Sequence, residues 1–235
     1  MLSLLFPHAC RICQTRLAHT ELAPGKICSA CWSTLEYILP PYCQKCGHPS
    51  GDGHTASCGH CQLLIPVFSF ARAVAIYDGV LREAIHLFKF KYRQELAEPL
   101  ANLMIQYLDK TPEFADLKTY DYLVPVPLYQ GKLRDREFNQ VELLANHIAY
   151  RVLVPVLTNN LYRKRDTVPQ MKLFAEQRMQ NVVNAFAVRD PDVFYNKRIL
   201  LLDDIMTTGA TINECSRVLL NARAKQVAVL VLARG

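Results

Sequence analysis

The chain has 235 residues, 51% of them apolar and 20% charged, enough to bury a substantial core and too evenly mixed for a disordered or low-complexity protein. No apolar run approaches the roughly 20 residues of a membrane-spanning helix, and no GxxxxGK[ST] loop is present, which argues against a membrane-spanning protein and a P-loop ATPase. The formal net charge of +6 treats every cysteine as neutral, and the cysteine pattern contradicts that assumption.

Eight of the nine cysteines precede residue 62 as four CxxC pairs: Cys10-Cys13, Cys28-Cys31, Cys43-Cys46 and Cys58-Cys61. Each pair can present two thiolates from one tight knuckle, and two knuckles complete a tetrahedral four-sulfur site, so two structural Zn2+ ions are expected. Disulfides and an iron–sulfur cluster are the rivals. A secreted disulfide framework needs a signal peptide, for which Leu2 to Phe6 is too short and lacks a basic flank. His8, His48, His54 and His60 are near enough to substitute, although eight cysteines already fill two sites. Sequential pairing of the knuckles is favoured by short loops, and interleaved pairing stays open. Eight thiolates subtract eight charges and two Zn2+ add four, leaving about +2; overall basicity then says little about nucleic acid.

A cysteine-rich module over 1–66 and one α/β domain over 67–235 divide the chain. In the second part, Ala71 to Tyr77 reads as a strand, and Val80, Ala84, Leu87 and Phe88 mark a helical face. A second helix carries Leu96, Leu100, Leu103, Met104 and Tyr107, 109–120 reads as a loop, and Tyr122 to Val126 as a buried strand. The next segment is expected to be a cationic loop, with Lys132, Arg134 and Arg136 before Phe138-Asn139-Gln140; Arg134 and Arg136 can chelate pyrophosphate oxygens. A helix follows with Val141, Leu144, Ala145, Ile148 and Val152 on one side.

Ile199 to Thr211 reads ILLLDDIMTTGAT. The apolar run suits a strand buried on both faces, with Asp203 and Asp204 projecting into solvent or ligand where it ends. Thr207, Thr208, Gly209, Ala210 and Thr211 form a small hydroxyl-rich turn opening a helix, where unpaired N–H groups and the positive dipole end can hold a phosphate. Two carboxylates that accept hydrogen bonds from sugar hydroxyls, beside a phosphate cradle, point to a ribose 5-phosphate unit. Cys215 falls on an apolar stripe and reads as core. A last strand, Val227 to Leu232, completes a parallel sheet with right-handed crossovers.

The 199–211 segment resembles the signature of type I phosphoribosyltransferases, which implies that Asp203 and Asp204 hold the ribose of phosphoribosyl pyrophosphate (PRPP) and 207–211 its 5-phosphate, with Mg2+ accompanying the ligand. Adding the four knuckles, VPVPL followed by RxRxFNQ, Thr167, Gln170, Leu173, Arg178 and Asn181 ahead of Ala185-Phe186, and the terminal VAVLVLAR, the whole chain is similar to the ComF family of bacterial natural transformation. That resemblance implies a cytoplasmic competence factor handling imported single-stranded DNA beside a ComFA-like helicase and the uptake machinery. The family commonly has glycine where this chain has Glu137.

Three basic clusters remain: Lys89, Phe90, Lys91, Tyr92 and Arg93; Lys132 to Arg136; and Arg163, Lys164 and Arg165. The first and third can meet phosphates of single-stranded DNA, with Phe90 or Tyr92 stacking on a base or packing in the core. An active phosphoribosyltransferase with an unknown acceptor, and a zinc-dependent helicase adaptor with a vestigial ligand site, are the alternatives.

Overall fold

The computed structural model of the protein describes residues 9–17, 26–50, 57–90, 93–167 and 175–235. In chain order they form α1 (Ser29–Trp32), α2 (Gly59–Leu64), β1 (Ala71–Ile76), α3 (Gly79–Phe90), α4 (Ala97–Lys110), β2 (Tyr122–Pro125), α5 (Gln130–Arg136), α6 (Gln140–Val152), β3 (Leu161–Arg163), α7 (Ala175–Val182), β4 (Phe186–Val188), β5 (Arg198–Met206), α8 (Ala210–Asn221) and β6 (Gln226–Arg234).

The central sheet has the order β1-β6-β5-β2 with every neighbouring pair parallel, as the sequence predicts, and β3 and β4 make a separate antiparallel ladder. Ile199 to Leu202 and Val227 to Ala233 are almost wholly buried because helices cover both sheet faces, which is why these strands read as unbroken apolar runs. Side chains alternate across the sheet. Leu200, Leu202, Leu230 and Leu232 pack with the apolar sides of α3, α4 and α6. Ile199, Leu201, Val229 and Val231 pack with Ile212, Cys215 and Leu219 of α8. Each such side chain contributes about 1.5–3 kcal/mol by leaving water.

Both sheet edges are covered, which removes a template for association. Outside β2, Leu123 N–H donates to Pro155 O and Leu157 N–H to Leu123 O, each at 2.9 Å. Outside β1, Ile38 N–H donates to Val74 O at 3.0 Å and Ile76 N–H to Glu36 O at 2.9 Å. The cysteine-rich segment therefore straddles the β1 edge. Cys10, Cys28 and Cys31 join the core on the α3/α4/α6 face, and Cys43, Cys46 and Cys61 join it on the α8 face.

Three local expectations change. Residues 109–120, read as a loop, contain two 3-10 turns, Pro112–Phe114 and Leu117–Thr119. The segment read as a cationic loop forms α5. Strand β5 runs on through the acidic pair to Met206, because β6 continues beside it after β2 has ended opposite Leu202. Among the described residues no helix is long and apolar enough to cross a membrane.

Candidate ligand site and metal centres

The eight knuckle cysteines form two sequential groups, Cys10, Cys13, Cys28 and Cys31, then Cys43, Cys46, Cys58 and Cys61, with the sulfurs of each group within 4.8 Å of one another. Sulfur separations are 3.7 Å for Cys10–Cys31 and for Cys13–Cys28, 3.8 Å for Cys43–Cys61 and 3.4 Å for Cys46–Cys58. A zinc tetrahedron with Zn–S bonds near 2.3 Å has edges of about 3.8 Å, whereas a disulfide needs about 2.05 Å. The sulfurs thus fit a four-coordinate ion and exclude cross-links. Backbone N–H groups add second-sphere support, with Cys28 N–H donating to Cys10 Sγ at 3.3 Å and Cys31 N–H to Cys28 Sγ at 3.4 Å.

At the C-terminal edge of the sheet, alternation along β5 sends the two carboxylates to opposite faces. Asp204 shares a side with Leu202 and meets α3 and α6: Lys89 Nζ lies 2.8 Å from Oδ1 and from Oδ2, and Gln140 Nε2 donates to Oδ2 at 2.9 Å. Asp204 is only 4% exposed and lies within β5, so, against the expectation of a strand end opening to solvent, it does not project into solvent. Asp203 is half-buried toward the α8 face and accepts the N–H of Asp204 at 2.9 Å. Burial, then the neighbouring Asp204 charge, push the Asp203 carboxyl up to about 8, opposed by Lys89 and Arg163.

Helix α5 explains which cations face this pair. Lys132 and Arg136 are one turn apart and partly buried, while Arg134 lies between them and is exposed. Arg136 Nη1 donates to Gln140 Oε1 at 3.2 Å, so a polar chain runs from Arg136 through Gln140 to Asp204. Burial, followed by the charge of Arg163, holds the Lys132 ammonium below the usual lysine range. Of the expected pyrophosphate ligands, Arg136 interacts electrostatically with Asp204, whereas Arg134 is exposed; Lys132 lies beside Arg163 and Arg136.

The basic clusters expected on the surface separate in the same way. Lys89 turns inward onto Asp204 with its side chain 16% exposed. Arg163 donates to Thr167 Oγ1, stacks 5.3 Å from the Phe186 ring centre and interacts electrostatically with Asp203 and Lys132. Lys164 is exposed, as is Arg165, which donates to the carbonyls of Asn181 and Val183, each at 3.0 Å. Arg93 pairs with Glu95 at 3.7 Å. Lys91, Tyr92, Gln170 and Leu173 lie outside the described residues, as do His8 and His54.

The turn 207–211 follows β5 directly. Gly209 caps α8 at φ +77°, a left-handed conformation that favours glycine, and a Cβ there would stand 3.2 Å from Leu64 Cδ2. Thr208 Oγ1 accepts Ala210 N–H at 3.4 Å. Carboxylates, cations and the opening turn of α8 therefore share one sheet edge, the arrangement in which a phosphorylated sugar can be held at several oxygens at once. Gln140, Lys132 and Arg163 are the residues whose place here the sequence did not reveal. The signal for Gln140 was its position opening α6 after Asn139, whose side chain caps that helix at Val141 N–H.

This is the architecture of a phosphoribosyltransferase-type α/β domain carrying a double zinc ribbon. The family model for a double zinc ribbon domain matches residues 1–62, and that for a phosphoribosyl transferase domain matches residues 141–235. The chain is 30% identical to Competence protein F of Haemophilus influenzae over 98% of both chains. It is 32% identical to DNA utilization protein YhgH of Escherichia coli, over 98% of this chain and 99% of that one. With Competence protein ComFC of Streptococcus pneumoniae the identity is 30%, over 88% of this chain and 87% of the other. The chain belongs to the ComF family of competence proteins.

Proposed function

We propose that this protein is a cytoplasmic competence factor that assists the handling of single-stranded DNA and binds PRPP at the sheet edge as ligand or regulator. The observation that carries the ligand reading is that Arg136 and Arg163, from two separate elements, reach Asp204 and Asp203 respectively, with Lys132 beside both cations. Burial, then the nearby Arg163 and Arg136 charges, disfavour the Lys132 ammonium, and a pyrophosphate group would offset that cost. Ribose hydroxyls fall to Asp203, with Asp204 positioned by Lys89 and Gln140, and the 5-phosphate to residues 207–211. Asp203 is the carboxylate available to hold a Mg2+ ion accompanying the ligand, which would supply positive charge to neutralise the phosphates.

The names of the relatives, which refer to competence and DNA utilization, support the role in DNA uptake. Of the two basic clusters expected to meet DNA, exposed Lys164 and Arg165, with Arg93, are the described cations left for its backbone. A ComFA-like helicase and the uptake machinery are the corresponding partners. Calorimetric titration with PRPP and Mg2+, with and without short single-stranded DNA, tests the reading. Binding of PRPP that changes DNA affinity supports a regulated uptake factor; absence of PRPP binding at millimolar ligand removes the regulator. Release of pyrophosphate on adding a candidate acceptor would instead establish a transferase.

A further inference from the structure

Two arginines of the sheet are each 3% exposed. Arg72 has a carboxylate partner, Glu113, reached by its Nε at 2.7 Å. Arg234, the last residue of β6, has none among the described residues. Its guanidinium is spent on the second zinc ribbon: Nη1 donates to Cys46 O at 3.0 Å, Nη2 to Cys46 Sγ at 3.6 Å and Nε to His48 Nδ1 at 3.2 Å. A buried cation is costly without a countercharge. Zinc bound by four thiolates carries a formal charge of about −2, so the second centre, once loaded, supplies the anion that Arg234 lacks.

The other side of Arg234 is the ligand edge. Arg234 is paired with Met206 across the β5–β6 ladder, and Gly235 N–H donates to Met206 O at 3.1 Å. Gly235 packs close to Thr207, the first residue of the phosphate turn. A second contact comes from α2 of the same ribbon, whose Leu64 lies against Gly209, and beyond it Val67 N–H donates to Asn213 Oδ1 in α8 at 2.8 Å. The first zinc centre sits on the other face of the sheet, with α3, α4 and α6.

We propose that Arg234 is a positioning residue that ties the second zinc centre to the phosphate turn, so that metal at Cys43, Cys46, Cys58 and Cys61 and a phosphoribosyl ligand at 207–211 bind with positive coupling, while the first centre is indifferent to the ligand. This rests on the reading of 207–211 as the phosphate turn. Coupling is reciprocal, so ligand must protect the metal as much as the metal supports the ligand.

The test uses the full-length protein loaded with two zinc ions and a chromogenic zinc chelator. Saturating PRPP with Mg2+ slows release of one zinc by about fivefold or more and leaves the other unchanged. Mass spectrometry of alkylated thiols identifies the protected set as Cys43, Cys46, Cys58 and Cys61. The R234Q protein releases that zinc faster and binds PRPP more weakly, and R234K, which keeps the charge without the fork, falls between. Equal release with and without bound PRPP, or protection of the Cys10 group, overturns the coupling. The wild-type measurement needs no variant to fold. If calorimetry on the same sample detects no PRPP binding, the ligand reading fails and the coupling with it. The Arg234–Cys46 contact is then tested alone for its hold on the second zinc centre, and is sunk by wild-type release from R234Q.

Discussion

Lys89 Nζ lies 2.8 Å from both carboxylate oxygens of Asp204, and this pair, not an exposed carboxylate, anchors the acidic end of β5. Removing one partner of a buried ion pair costs about 3–5 kcal/mol because the other charge is stranded. Lys89 keeps some solvent access, so Asp204→Ala is expected at the low end of that range, seen as a left-shifted urea midpoint. Asp203→Ala breaks no direct ion pair and removes a carboxyl whose ionisation is disfavoured in the fold, so it does not lower the midpoint while it weakens PRPP. Equal destabilisation by the two substitutions would contradict the opposite roles assigned to them.

Helix α5 gives a directional prediction within one short segment. Lys132→Met and Arg136→Met each remove a cation from the inner face and should weaken PRPP by about 1.5–3 kcal/mol, roughly ten- to hundredfold. Arg134→Met, on the exposed face, should leave affinity within twofold. Isothermal titration of the three variants decides it, and a loss at Arg134 equal to that at Arg136 would return the segment to the loop expected from sequence.

How far the sequence could be read depended on whether a feature was local. The strands around Leu200 and Val229 are buried on both faces, so their apolar runs were visible. Sequential zinc knuckles were likewise written in CxxC spacing, although only the three-dimensional arrangement shows that sulfurs such as Cys43 and Cys61 enter the same core as Val229. Arg134 and Arg136 look equivalent in a charged stretch and part company only once the stretch coils into a helix. Lys89 and Arg163 read as surface charge because their partners, Asp204 and Asp203, are remote in the chain. Tertiary pairing of this kind leaves no periodic trace.

The glycine that the family resemblance implies at position 137 fits the backbone there. Glu137 ends α5 at φ +64°, in the left-handed region, and is exposed. A side chain there costs about 1 kcal/mol relative to glycine, partly offset by the greater freedom glycine has when unfolded. Glu137→Gly should therefore raise stability by about 0.5–1 kcal/mol, read from chemical denaturation. A lower midpoint would show that Glu137 makes a compensating interaction.

Asp203 makes stability depend on pH. Its carboxyl is pushed up to about 8 in the folded protein, against an ordinary value near 3.9. Between those values the unfolded chain gives up a proton that the folded protein keeps, so this group costs stability increasingly as pH rises from about 4 to about 8. Asp203→Asn cannot ionise and retains an oxygen for the Asp204 N–H. Its Tm should exceed that of wild type at pH 8, by about 2–4 °C per kcal/mol of relieved penalty, and the gap should close toward pH 4. A gap independent of pH would mean that Asp203 is ionised throughout.

Metal removal should reach beyond the cysteine-rich segment. Structural zinc contributes about 10–16 kcal/mol in zinc-finger peptides, comparable to the whole stability of a typical domain, and here the ribbons cover an edge of the sheet. Ile38 N–H donates to Val74 O, Ala71 N–H to Lys45 O and Ile76 N–H to Glu36 O, so two of these three amides belong to β1 itself. Stripping both ions should abolish hydrogen-exchange protection at Ile38, Ala71 and Ile76 together and lower the melting temperature of the entire protein. Were increased exchange confined to residues before 67, the ribbons would be a separable module and the β1 edge would stand without them.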